Sequence, residues 1–219
     1  ESILHTLDRM AMGGMYDQVG GGFHRYSTDA KWLVPHFEKM LYDNGQLAST
    51  YAEAYARTED PYYERVLRRT CDYVLREMTD GSGAFYSAQD AEVNAREGLN
   101  YLWLEDEVRT VLTDAGLEDD IEFALTVYGF DEGTNFLDPH HPEDGRKNVV
   151  FLFERPDKLA EQNEMDQAAF DERLDRAGAL VLVVIARAAF LLALNGRQIA
   201  GTDGILLLTL YLAAMLYLG

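Results

Sequence analysis

One cysteine in 219 residues, Cys71, excludes an internal disulfide and a CxxC redox pair. That scarcity fits a reducing compartment, and a cytoplasmic location is expected. Cys71 lies in an apolar helical pattern with Val66, Leu67, Tyr73 and Val74, which predicts a buried thiol. Basic residues are also scarce: 19 Lys and Arg face 38 Asp and Glu, for a net charge of −19. An acidic surface repels phosphate backbones and anionic lipid, so no nucleic-acid partner is expected. The charge reads as a solubility device, with a cationic partner as the alternative. No signal peptide is visible. The chain opens at Glu1 inside a helical pattern without an initiator Met, which reads as a fragment or processed product. The motifs of several chemistries are missing. There is no HExxH or Cys/His ligand spacing, no GxSxG elbow and no GxxxxGK[ST] loop. Gly20-Gly21-Gly22 lacks the βαβ surroundings of a dinucleotide fingerprint. No cofactor and no resident metal are expected; the mixed His140-His141 and Asp138, Glu143, Asp144 stretch is a weak metal alternative.

What remains is a globular composition, 47% hydrophobic and 26% charged with 5 Pro, long enough to bury roughly 70% of its unfolded surface. Apolar spacing predicts a helix over 1–12, stopped by Gly13-Gly14, then an irregular stretch to Pro35. A second helix is expected from Phe37 to about Thr58, and a third opened by Asp60-Pro61 and ended at Asp80-Gly81. Residues 83–104 read as a β-hairpin or extended excursion, with helices at about 105–115 and 118–128. A strand-like run follows at 148–153, and Pro156 starts a charged helix to about Arg176. The pattern is all-α: helical hairpins with short β-hairpin excursions on their connections, better suited to an α/α toroid than to a sandwich or doubly wound sheet.

The densest polar constellation is His24-Arg25-Tyr26 with His36, Glu38, Lys39, Tyr42, Asp43 and Asn44. On a helix starting near His36, Lys39 and Asp43 stand one turn apart, as do Glu38 and Tyr42. A neutral imidazole beside a carboxylate can act as general base, with a second His or a Tyr as the acid. Arg25 and Lys39 can stabilise an enolate or hold an anionic substrate. Read structurally, the same residues are a hydrogen-bond network pinning the triple-glycine loop to the helix. A second constellation, Phe85-Tyr86-Ser87 with Gln89, Asp90 and Glu92, follows the helical hairpin. There Asp90 is either a catalytic carboxylate or a turn aspartate.

Three segments carry a resemblance: GGMYDQVGGGFHRYSTDAKWLVPHFEKMLYDNGQLASTYAEAY at 13–55, GAFYSAQDAE at 83–92 and VYGFDEGTNF at 127–136. Over roughly residues 1–155 the chain resembles the spermatogenesis-associated, thioredoxin-domain-containing proteins. The resemblance implies a thioredoxin-like domain, absent from this chain, and an (α/α)6 toroid similar to that of N-acylglucosamine 2-epimerases. Residues 1–176 would be part of that toroid; at about 11–12 residues per helix the chain holds too few for a ring of twelve.

Together these readings give an expected sugar-isomerase-like or epimerase-like enzyme acting on a carbohydrate or similar small polar molecule. His24 and His36 are the acid–base candidates, oriented by Asp43 and Asp90. Arg25, Tyr26, Trp32, Glu38, Lys39, Tyr42, Asn44, Tyr86 and Trp103 are the substrate contacts. The alternative is a non-catalytic module that binds a ligand or partner for the thioredoxin-like domain. The tail differs from the rest: 177–194 carries one charge, Arg187, and 205–218 carries none. The first run is about 27 Å long as a helix, barely a membrane span. An apolar helical hairpin over 177–219, packed on the same domain, is therefore expected rather than a membrane hairpin.

Overall fold

Helices close in sequence pack against each other, and both ends of the described chain meet on the same core. In a computed structural model, which describes residues 2–178, these form a mainly α-helical fold. Helix α1 (Ser2–Met12) buries Leu7, Ala11 and Met12. A long loop with the two-residue strands β1 (Tyr26–Ser27), β2 (Pro35–His36) and β3 (Lys39–Met40) leads into α2 (Leu41–Thr58). Helix α3 (Pro61–Glu77) then packs on α2, with the Tyr51 and Tyr63 rings 6.1 Å apart. The Tyr51 hydroxyl donates to the Leu7 carbonyl at 2.7 Å, tying α2 to α1.

Asp60 caps α3 as its sequence predicts: Oδ1 accepts the Tyr62 N–H at 3.0 Å, and Pro61 occupies the first turn, where no N–H is needed. The start of α2 differs from expectation. Residues 35–40 are extended, because Tyr26 pairs with His36 and Lys39 pairs with Gln89 of β4 (Ala88–Gln89). Helix α2 therefore begins at Leu41, whose N–H donates to the Ser87 carbonyl at 3.0 Å. Lys39 and Asp43 do not share a helix. Cys71 is exposed rather than buried, since the inward positions of α3 are Tyr62, Tyr63, Val66, Thr70 and Tyr73, and residue 71 lies about 100° off that stripe.

The excursion after α3 contains β4, a hairpin of β5 (Glu92–Val93) and β6 (Arg96–Glu97), and β7 (Leu102–Trp103). Helices α4 (Glu105–Asp114) and α5 (Ile121–Val127) follow. Strands β8 (Phe136–Leu137) and β9 (Arg146–Val149) then join β7 in a three-stranded sheet of order β7-β9-β8. The predicted continuous helix from Pro156 to Arg176 is two helices: α6 (Pro156–Gln162), then α7 over 167–178, where the described residues end. Glu164 turns left-handed between them at φ 54°, and Asp166 caps the second through the Ala169 N–H at 3.1 Å.

The main core draws on all seven helices of the described residues, with Phe23, Tyr51, Leu112 and Phe170 deeply buried. A smaller cluster of Phe37, Ala91, Leu102 and Val149 lies under the β excursions. Of the expected apolar hairpin over 177–219, residues 179–219 lie outside the described residues. No helix of the described residues is long and apolar enough to cross a membrane.

Candidate functional site

The glycines at 20–22 serve the scaffold. A Cβ on Gly22 would stand 2.3 Å from the Tyr73 ring, and one on Gly21 would stand 2.6 Å from the Arg69 carbonyl. Both have positive φ, so the loop presses against α3 in a conformation that glycine adopts freely. Their close approach is to a helix rather than to an open cavity.

Three residues expected at the site are sealed beneath this loop. His24 is 2% exposed, and its Nδ1 lies 3.0 Å from the Phe37 carbonyl. A carbonyl only accepts, so Nδ1 carries the proton and donates. Burial, followed by the Lys39 charge, pushes the imidazole pKa down to about 3. His24 is thus a neutral core histidine, packed edge-on against Phe37 and Tyr101. Lys39 is 1% exposed; it donates to Asp17 Oδ2 at 2.8 Å and to the Gly21 carbonyl at 3.0 Å. Its ammonium also sits 4.2 Å from the Tyr73 ring centroid and 4.8 Å from that of Tyr101. Asn44 is fully buried, with Oδ1 accepting the Phe23 N–H and Nδ2 donating to the Phe23 and Met40 carbonyls. For these three the network reading describes the arrangement, and none meets solvent as a substrate contact.

A second group faces outward. The cross-strand neighbours Tyr26 and His36 place their rings 5.1 Å apart. His36 Nδ1 contacts Glu97 Oε1 at 2.9 Å, and its Nε2 lies 3.7 Å from Glu38 Oε2. The same Glu38 oxygen accepts from Arg25 at 2.8 Å. That hydrogen bond, with the influence of Tyr42, raises the Arg25 pKa. Asp43 adjoins the group, and burial raises its carboxyl pKa against the pull of Arg25 and with the help of Glu38. Its Oδ2 is buried without a hydrogen-bond partner among the described residues. Arg25, Glu38, His36 and Glu97 therefore form a continuous acid–base series, with Asp43 within its electrostatic influence and the exposed rings of Tyr26 and Tyr42 beside it.

The remaining candidates scatter. Trp103 is buried in the main core and offers no stacking face. Trp32 packs against that core from a loop, with φ 62°. Tyr86 is exposed and its N–H donates to the Met78 carbonyl, while Asp90 accepts the Glu92 N–H at 3.0 Å as a turn aspartate. Sequence reasoning missed Glu97, which meets His36 across 61 residues of chain, and Asp17, the counter-ion of Lys39. No short-range signal points to Glu97. Asp17 is recognisable only as the acid that caps the glycine turn, through the N–H groups of Val19 and Gly20. No group of three or more His, Cys, Asp or Glu among the described residues is placed to hold a metal ion.

No family model matches the chain. It is 48% identical over 117 residues to spermatogenesis-associated protein 20 of Homo sapiens, covering 51% of this chain and 15% of that protein. The Mus musculus protein of the same name is 46% identical over the same length. An uncharacterised protein of Caenorhabditis elegans is 33% identical over 186 residues, 78% of this chain and 25% of that protein. The chain thus spans about 15% of the mammalian relatives and 25% of the nematode one. These likenesses support the spermatogenesis-associated family.

Proposed function

We propose that the outward series Arg25–Glu38–His36–Glu97, with Asp43, is the acid–base site of a sugar-isomerase-like or epimerase-like protein acting on a carbohydrate or similar polar molecule. The observation that carries this reading is the double carboxylate hold on His36, at 2.9 Å from Glu97 and 3.7 Å from Glu38. A carboxylate on Nδ1 fixes the ring and its tautomer, which aims the Nε2 lone pair outward as the proton acceptor. In the proposed step Nε2 takes the proton from a carbon beside a sugar carbonyl. Arg25 stabilises the resulting enediolate oxygen, and the Asp43 carboxyl, whose proton affinity burial raises, relays a proton from solvent to the other face. One proton leaves the substrate and one arrives, so no external oxidant or reductant is needed. Tyr26 and Tyr42 supply the apolar surface that sugar rings stack on. This assignment replaces His24 with Asp43 as the second proton-transfer group. In the same proposal residues 1–176 form part of an α/α toroid that works beside a thioredoxin-like domain in the longer relatives.

A second reading is favoured by one observation: His24 and Lys39 are both sealed. With one of the two acid–base imidazoles and one expected substrate contact out of reach, the same surface can serve as a non-catalytic ligand-binding module. A panel of mono- and disaccharides separates the two. Thermal stabilisation by a sugar, together with deuterium from D2O entering its carbon beside the carbonyl, supports the enzyme. Stabilisation without deuterium supports the module. Absence of both contradicts the enzyme and favours a module whose ligand or partner is not a sugar.

A further inference from the structure

A small cavity of about 20 Å³ lies between α1, α3, α6 and α7, lined by Tyr16, Gln18, Tyr62, Arg65, Arg69 and apolar neighbours. That is room for one water-sized guest. The hydroxyls of Tyr16 and Tyr62 are both buried, and neither O–H has an acceptor among the described residues; the Tyr16 oxygen faces the Arg69 guanidinium, which can only donate. A buried O–H without an acceptor is unfavourable, so a pair of them on one cavity points to an occupant that accepts from both.

The wall chemistry narrows what that occupant is. No carboxylate lines the cavity. The Gln18 amide nitrogen is already committed, donating to the carbonyls of Ala11, Met12 and Gly13 at 2.8, 3.2 and 3.1 Å. Arg65 and Arg69 are held at the cavity by their links to Asp175, whose carboxylate is half exposed on the solvent side. Arg69 also donates to the Gln18 and Val19 carbonyls at 2.9 Å each. Arg65 also faces Asp171 at 3.9 Å, so the positive groups stand at the wall and the two carboxylates that meet them stand outside the lining.

We propose that this cavity is a binding site for a single halide-sized anion, chloride under ordinary conditions, held by the Tyr16 and Tyr62 hydroxyls in the field of Arg65 and Arg69. Such an ion would join the loop after α1 to α3 and α7 at a point remote from the His36 series. Its failure or success is independent of the sugar assignment.

Two measurements on the unmodified chain test it. Melting temperature in sodium chloride is compared with sodium gluconate at equal ionic strength. Chloride is expected to raise it saturably, by about 2–4 °C. Crystals soaked in sodium bromide are expected to show an anomalous bromine peak between the two hydroxyls. Tyr62→Phe, which keeps the ring in the core, should erase the difference between the two salts. Equal melting temperatures for the unmodified chain, or a bromine map without a peak at that position, overturn the proposal.

Discussion

Asn44 satisfies both backbone polar groups of Phe23: its Oδ1 accepts the N–H at 2.7 Å and its Nδ2 donates to the carbonyl at 3.0 Å. A side-chain amide thus does the work of a neighbouring strand, and it fastens the glycine loop to the first turn of α2. Asn44→Leu removes the amide but keeps similar volume, leaving both Phe23 groups buried and unpaired. The expected loss is about 2–4 kcal/mol of unfolding free energy, read by urea denaturation. A change under 1 kcal/mol would show that water reaches Phe23.

The buried ion pair beneath the same loop gives an asymmetric expectation. Asp17→Ala strands the ammonium of Lys39 in the core and removes the acceptor of the Val19 and Gly20 N–H groups. Its cost is expected at about 3–5 kcal/mol. Lys39→Met leaves a carboxylate that still has two backbone donors, and is expected to cost less. Equal losses in the two variants would contradict this order.

His24 sets a pH dependence. Its folded pKa of about 3 lies below the ordinary histidine value of 6.5. The unfolded chain therefore binds the extra proton between those values. Stability from this group is fully present above pH 6.5 and falls as pH drops toward 3, by about 1.4 kcal/mol per pH unit inside that window. His24→Asn should flatten the profile of unfolding free energy between pH 6 and 4 by about one proton. An unchanged slope would mean the imidazole titrates freely.

The tip of the β5–β6 hairpin carries Asn94 and Ala95 at φ 54° and 56°. Asn tolerates that region, whereas alanine resists it. Ala95→Gly is expected to stabilise the fold by about 0.5–1 kcal/mol, measured as a rise in the denaturation midpoint. A lower midpoint would refute the reading of strain at this tip.

Local features were legible from residues alone. The Asp60-Pro61 start of α3 follows from two adjacent side chains, and the apolar stripes of α1, α2 and α3 follow from their spacing. Residues 35–40 were misread because their extended shape depends on partners at Tyr26 and Gln89, which no window contains. His24, Lys39 and Asn44 look like site residues because polarity in sequence does not disclose burial; tertiary packing makes them framework. Glu97 was invisible for the opposite reason, being an ordinary surface acid until the hairpin carries it to His36.

The central claim is that the His36 series receives a polar ligand. Its most direct test is a 1H–15N NMR titration of the chain with the sugar panel. The account predicts saturable shifts concentrated at Arg25, Tyr26, His36, Tyr42, Asp43 and Glu97, abolished in His36→Ala with other resonances unchanged. Resonances that stay still across the panel, or shifts that map elsewhere on the fold, would contradict it.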